Sequence, residues 1–417
     1  GKVDIQGTLK NKHILSEIDG SQLIEGRVVV DLKNLTVLPL MFPDIQYIDG
    51  HKYSEYIISG SIGNPAIVGR SDIAAKSITL PRLGIELKDV KAAARTDKNN
   101  NIKVTGEASS GVGRIVFRGE MLNYLGADLL AKLYIEGNNF LATKTPEFEM
   151  EISPKVTTIV NNDVMRMEGE ITIPRAKIQM IQSASMVSPS TDVVIVDADL
   201  PTEKASKRLA LDAELKINLG NEVSIEGFGA SGRLRGEVLV REKPGEVTTG
   251  LGEIRFEEGR FTAYNRELTI ETGLLTFANS PIDNPIVAIQ AVRRIEHQDP
   301  KVKVGVDVTG QAQNPKVELF SEPAMDQSDI LSYMILGYPM NQATEKDGST
   351  LSTAASSIGL IGGELLANEI ATKLGIDVEN IRITTDAATK QPLVGAYLNP
   401  CLLYTSPSPR DNQPHLV

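Results

Sequence analysis

Val302, Val304, Val306 and Val308 stand at alternate positions, with Lys301, Lys303, Gly305, Asp307 and Thr309 between them. Side chains along a β-strand point to opposite faces in turn, so this run makes one apolar and one wet face on a single strand. Similar stretches, parted by Gly, Asn or Pro turns, recur from the start of the chain to about residue 320. Turn signals stand at Asp97–Asn101, Gly137-Asn138-Asn139, Asn161-Asn162-Asp163 and Lys243-Pro244-Gly245. Leu251–Phe256, Gly259–Tyr264, Glu267–Ile270 and Gly273–Phe277 read as four short strands, with turns at Glu257-Glu258-Gly259, Asn265-Arg266 and Glu271-Thr272-Gly273. At one strand per 8–12 residues, the first 320 residues hold about 30 strands. Laid side by side at ~4.8 Å they would extend up to about 140 Å, and a sheet that long must curl. A curled sheet with one apolar face is a trough, but the same alternation suits a closed sandwich or barrel.

Charge and composition exclude several functions. With 54 Asp and Glu against 43 Lys and Arg, the chain lacks the basic balance of a nucleic-acid binder. It has no Trp and 5% aromatics, too few for base-stacking platforms or a sugar-binding cleft. No apolar run reaches the ~18 residues of a spanning helix. Gly227-Phe228-Gly229-Ala230-Ser231-Gly232 matches GxGxxG, but Arg233–Val240 after it reads as strand, whereas a dinucleotide site needs a helix there. Glu257 and Glu258 read as solvated turn carboxylates rather than an acid/base pair. His13, His51 and His297 have no metal-ligand spacing. No serine lies in a GxSxG setting, and Asn34-Leu35-Thr36 is a chance glycosylation triplet. No catalytic, cofactor or metal site is expected. Leu80–Ile85 loosely echoes Ile173–Ile178, too loosely for a short-period solenoid.

The pattern changes beyond residue 320. Pro323–Leu336 reads as a helix whose apolar side is Met325, Ile330, Tyr333, Met334 and Leu336. Asn341–Thr350 reads as a polar linker. Ser352–Leu374 reads as a second helix, with Ile358, Ile361, Leu365, Leu366, Ile370 and Leu374 at a roughly helical period and Gly375 as its stop. Strand returns from Ile381 to Pro400. The expected parts are a trough over 1–320, a helical cover over 321–375, the start of a strand region over 376–400, and a tail over 401–417. That tail, from Cys401-Leu402-Leu403-Tyr404-Thr405-Ser406-Pro407 onward, resembles a translated sequencing adapter and is expected to be non-native and free of contacts. Cys401, the one cysteine, is then non-native too, and a cysteine-free remainder is compatible with an oxidising compartment. The chain opens Gly1-Lys2-Val3-Asp4, so its natural start is expected upstream.

Gly252-Glu253-Ile254, Gly259-Arg260-Phe261, Gly273-Leu274-Leu275-Thr276-Phe277, Asn284-Pro285, Val306–Gly310, Pro315-Lys316-Val317 and Ser321–Met325 with Leu331-Ser332-Tyr333 together resemble the C-terminal region of the TamB family. Leu80–Ile85, Ile152-Ser153-Pro154 and Ile173–Ile178 look like the same family, and the resemblance covers nearly all of residues 60–400. It implies an AsmA/TamB-like β-taco: a long curled β-sheet trough with an apolar lining and, here, two C-terminal helices. It implies a periplasmic protein held in the inner membrane by an N-terminal anchor absent from this sequence. The implied partners are phospholipid and an outer-membrane barrel with POTRA domains (TamA-like).

The resemblance tips the balance toward a trough, and the reading that follows is a lipid conduit supporting outer-membrane protein and autotransporter assembly. The expected lining residues are Ile254, Phe256, Val302, Val304, Val306 and Val308. A second reading is a scaffold that templates outer-membrane β-proteins by strand augmentation at an open edge. A polysaccharide-acting β-helix enzyme would need clustered carboxylates and aromatics, and the sequence has none.

Overall fold

A computed structural model describes residues 2–357 apart from 11–19, 37, 126–128, 162, 181–209, 228, 264–265 and 297–300; beyond 357 it describes Ile370, Lys373, 381–385, 392–399 and 402–405. The strands up to residue 322 are β1 (Lys2–Lys10), β2 (Leu23–Leu32), β3 (Tyr47–Ser61), β4 (Asn64–Leu80), β5 (Ile85–Thr96) and β6 (Ile102–Ser110), with a one-turn helix α1 (Leu38–Met41) between β2 and β3. They continue with β7 (Gly113–Leu122), β8 (Leu130–Asn138), β9 (Phe140–Lys144), β10 (Phe148–Asn161), β11 (Val164–Met180) and β12 (Ala210–Gly227). The rest are β13 (Ala230–Glu242), β14 (Thr249–Ala263), β15 (Arg266–Pro281), β16 (Ile286–Ile295), β17 (Val302–Gln311) and β18 (Asn314–Glu322). All 18 belong to one open sheet, so the chain is mainly β as the alternation predicts. Among the described residues the number is 18 rather than about 30, in part because eight of the strands exceed 12 residues, β12 reaching 18.

By internal contacts the chain divides into two units: Gly1–Ile181, Asp197–Glu257 and Leu275–Pro285 in the first; Gln182–Val196, Glu258–Leu274 and Ile286–Val417 in the second.

In the first unit, β1 to β8 form an antiparallel meander. Its turns use expected chemistry: Asp97 Oδ1 accepts the N–H groups of Asn99 and Asn101 at 2.8 and 3.1 Å. Gly137-Asn138-Asn139 is a corner rather than a hairpin. Asn139 takes a left-handed φ of 46°, and β9 continues past it, so that β10 pairs with β8 along one half and with β9 along the other. The corner carries β9 across the hairpin tips. Lys144 N–H donates to the Leu83 carbonyl in the β4–β5 turn at 2.8 Å, although β4 and β9 lie several strands apart. Gly84 is needed there twice over, by its φ of +66° and because a Cβ would run into the Lys144 carbonyl.

β11 and β12 pair in parallel, from Val164↔Ala210 to Met180↔Gly227, next to the antiparallel ladders β10–β11 and β12–β13. The register of β11 shifts around Pro174, which sits inside the strand, whereas Pro81 occupies a turn. The two Leu/Ile-Pro-Arg segments are therefore not structural equivalents. The GxGxxG run closes the β12–β13 hairpin, with strand on both sides. Over the ends of β3–β5 the segment before β3 folds back, and fully buried Leu35 packs with Ile48 and Ala75.

The four short strands expected over 251–277 are parts of two long ones, β14 and β15. Glu258 takes a φ of 51° within β14, and the strand continues through it. Helix α2 (Gln327–Ile335) follows β18. A 3₁₀ turn over Met340–Gln342 leads to α3 (Glu345–Ser357), which begins inside the expected polar linker. Its N-terminus is capped by one side chain: Asp347 Oδ2 accepts the Thr344 backbone N–H at 2.9 Å and its hydroxyl at 2.7 Å, one half of a capping box. Of the expected second helix, the stretch 358–369 lies outside the described residues, and Ile370 and Lys373 are helical. A separate three-stranded sheet joins β19 (Ile381–Thr385), β20 (Pro392–Asn399) and β21 (Leu402–Thr405). β21 pairs with β20 and so departs from the expectation of a contact-free tail.

Candidate functional site

The strand registers carry one side-chain face of the first unit from strand to strand. Ile102 pairs with Met121, Met121 with Ala131, Ala131 with Val160, Val160 with Met165, and Met165 with Leu211. Directly opposite residues share a face, so these form one apolar row running across β6 to β12. A parallel row runs through Phe117, Ile135, Val156, Gly169, Leu215 and Val240. At the N-terminal side the face continues through Tyr56 and Val28 to Ile5, which is 71% exposed. From β2 to β13, with β9 set aside, this is about ten strand spacings, or roughly 50 Å. Phe117, Leu133 and Ile135 on this face are half-buried, so the apolar layer remains partly open to solvent.

The reverse face is charged and internally paired. Arg27 reaches Glu55 at 2.6 Å, Arg95 reaches Asp72 at 2.6 Å, and Arg241 reaches Glu214 at 2.9 Å, each across a strand boundary. Arg118 stacks 4.5 Å from the centroid of the Tyr134 ring. Hydrogen bonding from Arg27 holds the Glu55 carboxyl below its ordinary range, and Lys91, with Arg114, does the same for Glu107. A hollow of about 440 Å³ lined by His51, Asp72, Lys91 and Glu107 opens on the sheet. Lys91 and Glu107 neutralise each other there at 3.2 Å. Among the described residues no group of three or more His, Cys, Asp or Glu could hold a metal, and no helix is long and apolar enough to cross a membrane.

The sequence-predicted lining residues fall in two places. Ile254 and Phe256 belong to the first unit and are half-buried, alternating with exposed Glu253 and Arg255. Val302, Val304 and Val306 belong to the second unit and are buried at 6%, 0% and 9% exposure. They form one core with Ile330, Leu331 and Met334 of α2, so a helix already covers them. Val308 is half-buried. The face across β6 to β13 was missed, although its signal was present. Ile115, Phe117, Gly119 and Met121 alternate with Arg114, Val116, Arg118 and Glu120 as regularly as the valines do.

α2 is buried over most of its length, Ser328 and Ile330–Ile335 included. Its C-terminal carbonyls lack intrahelical partners and carry the negative end of the helix dipole. Two arginines meet them. Arg293 Nη1 donates to the Tyr333 and Met334 carbonyls at 3.1 and 2.8 Å, and Arg266 Nε donates to the Ile335 carbonyl at 2.7 Å. Burial lowers the pKa of Arg293.

Comparison with known proteins agrees with this architecture. The family profile described as the TamB C-terminal domain matches residues 91–415. The translocation and assembly module subunit TamB of Haemophilus influenzae is 26% identical over 375 residues. That alignment covers 85% of this chain and 28% of the relative, so the chain spans little more than a quarter of that protein's length. The profile match takes in most of the sheet together with α2 and α3, and this chain belongs to the TamB family.

Proposed function

We propose that the chain is a section of a periplasmic conduit that carries phospholipid acyl chains toward the outer membrane and so supports outer-membrane protein and autotransporter assembly. The supporting observation is the apolar face kept in register across β2 to β13 and left partly open, with a paired, charged reverse. An acyl chain of ~16 carbons exposed to water costs on the order of 12 kcal/mol, at ~0.8 kcal/mol per methylene. A continuous apolar face offsets most of that at every point along its length, and sliding needs no catalytic group. In this reading Ile254 and Phe256 join the lining of the first unit, and Val308 lines the second. For Val302, Val304 and Val306 to line it, α2 must lift. The full-length protein is anchored in the inner membrane and docks on an outer-membrane barrel with POTRA domains (TamA-like).

The second reading, a scaffold for client β-strands, is favoured by one observation. On β1, which pairs with β2, Val3 and Ile5 are exposed at 59% and 71%, apolar strand residues that a client strand would cover. A photo-crosslinker at Leu133 on the apolar face, and another at Asp4 on β1, separates the two in cells. Phospholipid captured at Leu133 supports the conduit. Client polypeptide captured at Asp4 with no lipid at Leu133 overturns it in favour of the scaffold.

A further inference from the structure

We infer that Gly106 and Phe117 set the clearance above the apolar face, with Gly106 providing the seat into which the ring folds. Gly106 lies on β6 directly opposite Phe117 on β7, between that ring and Ala92 of β5 on the same face. Its backbone does not take the left-handed conformation, so the chain path does not require glycine there. What it provides is space. A Cβ on Gly106 would fall inside the radii of Phe117 Cζ and Cε1, and would sit 2.9 Å from the Lys91 carbonyl oxygen. The ring therefore lies over the Gly106 backbone, toward Ala92. Tyr56 and Gly69 repeat the arrangement on the same face: they pair directly between β3 and β4, and a Cβ on Gly69 would approach Tyr56 Cδ1 to 2.6 Å.

An aromatic ring over a cross-strand glycine protects the open backbone, and here the geometry has a second effect. A ring lying flat rises above the backbone by about one contact distance, ~3.5–4 Å. A ring forced upright projects by its whole length into the space an acyl chain would occupy. When a side chain is added at Gly106, the ring is the part that yields, because the Lys91 carbonyl is tied into the ladder. This role rests on the conduit reading and deepens it: two seated rings keep the floor smooth for a linear acyl chain.

The chain contains no tryptophan, so Phe117→Trp introduces a single emitter at this point. In the full chain, adding Gly106→Val to Phe117→Trp is expected to shift the emission to longer wavelength as the ring leaves its seat. Separately, a photo-crosslinker at Leu133 reads phospholipid capture in cells. Capture is expected to be lost in Gly106→Val and regained in Gly106→Val/Phe117→Ala, with circular dichroism and protein abundance unchanged. Gly106→Ala is the smaller step should the valine variant not accumulate. Unchanged emission, capture that survives Gly106→Val, or capture not regained on removing the ring each overturn this role while leaving the conduit standing. No capture in any variant, the unsubstituted chain included, overturns the conduit and this role with it.

Discussion

Arg293 satisfies two carbonyls at the end of α2 with one guanidinium nitrogen, and Arg266 satisfies a third. Arg293→Met keeps much of the volume but leaves those acceptors buried, at a cost of roughly 1–3 kcal/mol. Hydrogen exchange should show faster opening of α2 with the first unit unaffected; equal protection would mean that packing alone seats the helix. Val306 poses a related question. A carboxylate at a site with 9% exposure, under a helix, has no partner, so Val306→Asp is expected to cost several kcal/mol and to unseat α2. Limited proteolysis between β18 and α3 would report it. Leu133→Asp, on the half-open face of the first unit, is expected to leave proteolysis unchanged. Valine alternation marked the strand correctly, yet which face a helix would cover depends on contacts between distant parts of the sequence. That dependence separates Val304 from Phe256, although both occupy similar local patterns.

Strands in the second unit are tied across their charged side as well as by their backbones. Glu271 of β15 pairs with Lys303 of β17 at 2.9 Å and with Arg294 of β16. Hydrogen bonding from Lys303 first, then Arg294, lowers its pKa below the ordinary 4.5. A carboxylate whose folded pKa is depressed contributes stability above its unfolded value, and that contribution fades as pH falls toward the folded value. Denaturant titrations between about pH 5 and pH 3 should show stability falling, and Glu271→Gln should flatten that acid limb. An acid limb unchanged in the variant would assign it to other carboxylates. Elements were legible where periodicity ran unbroken and obscure where one residue redirected it. Glu258 and Asn139 both adopt left-handed backbone; the first lies inside one strand and the second turns a corner between two. The α3 cap was legible as Thr344-Glu345-Lys346-Asp347, the residue spacing of a capping box, within a stretch that otherwise reads as linker.

At the scale of the whole molecule, family and strand content followed from the sequence, because alternation is local and recurs over hundreds of residues. The β11–β12 parallel ladder did not, since parallel partners are joined by a long connection that pattern reading cannot align. That ladder has a consequence for covalent continuity. Its in-register backbone pairs run from Val164↔Ala210 to Met180↔Gly227, and the peptide bonds between residues 181 and 209 contribute none of them. A protease site placed within 181–209 therefore severs the polypeptide without removing a rung of that ladder. Two separately expressed pieces, 1–180 and 210–417, are expected to find each other through β11 and β12 and to co-purify. Replacing Ile171 in β11, which pairs with Ile217 in β12, by proline should abolish that reunion. Pieces that ignore one another with both strands intact would show that this seam is held by the chain passing across it. If they reunite, the sheet can be assembled from parts, as a zip is closed from two tapes.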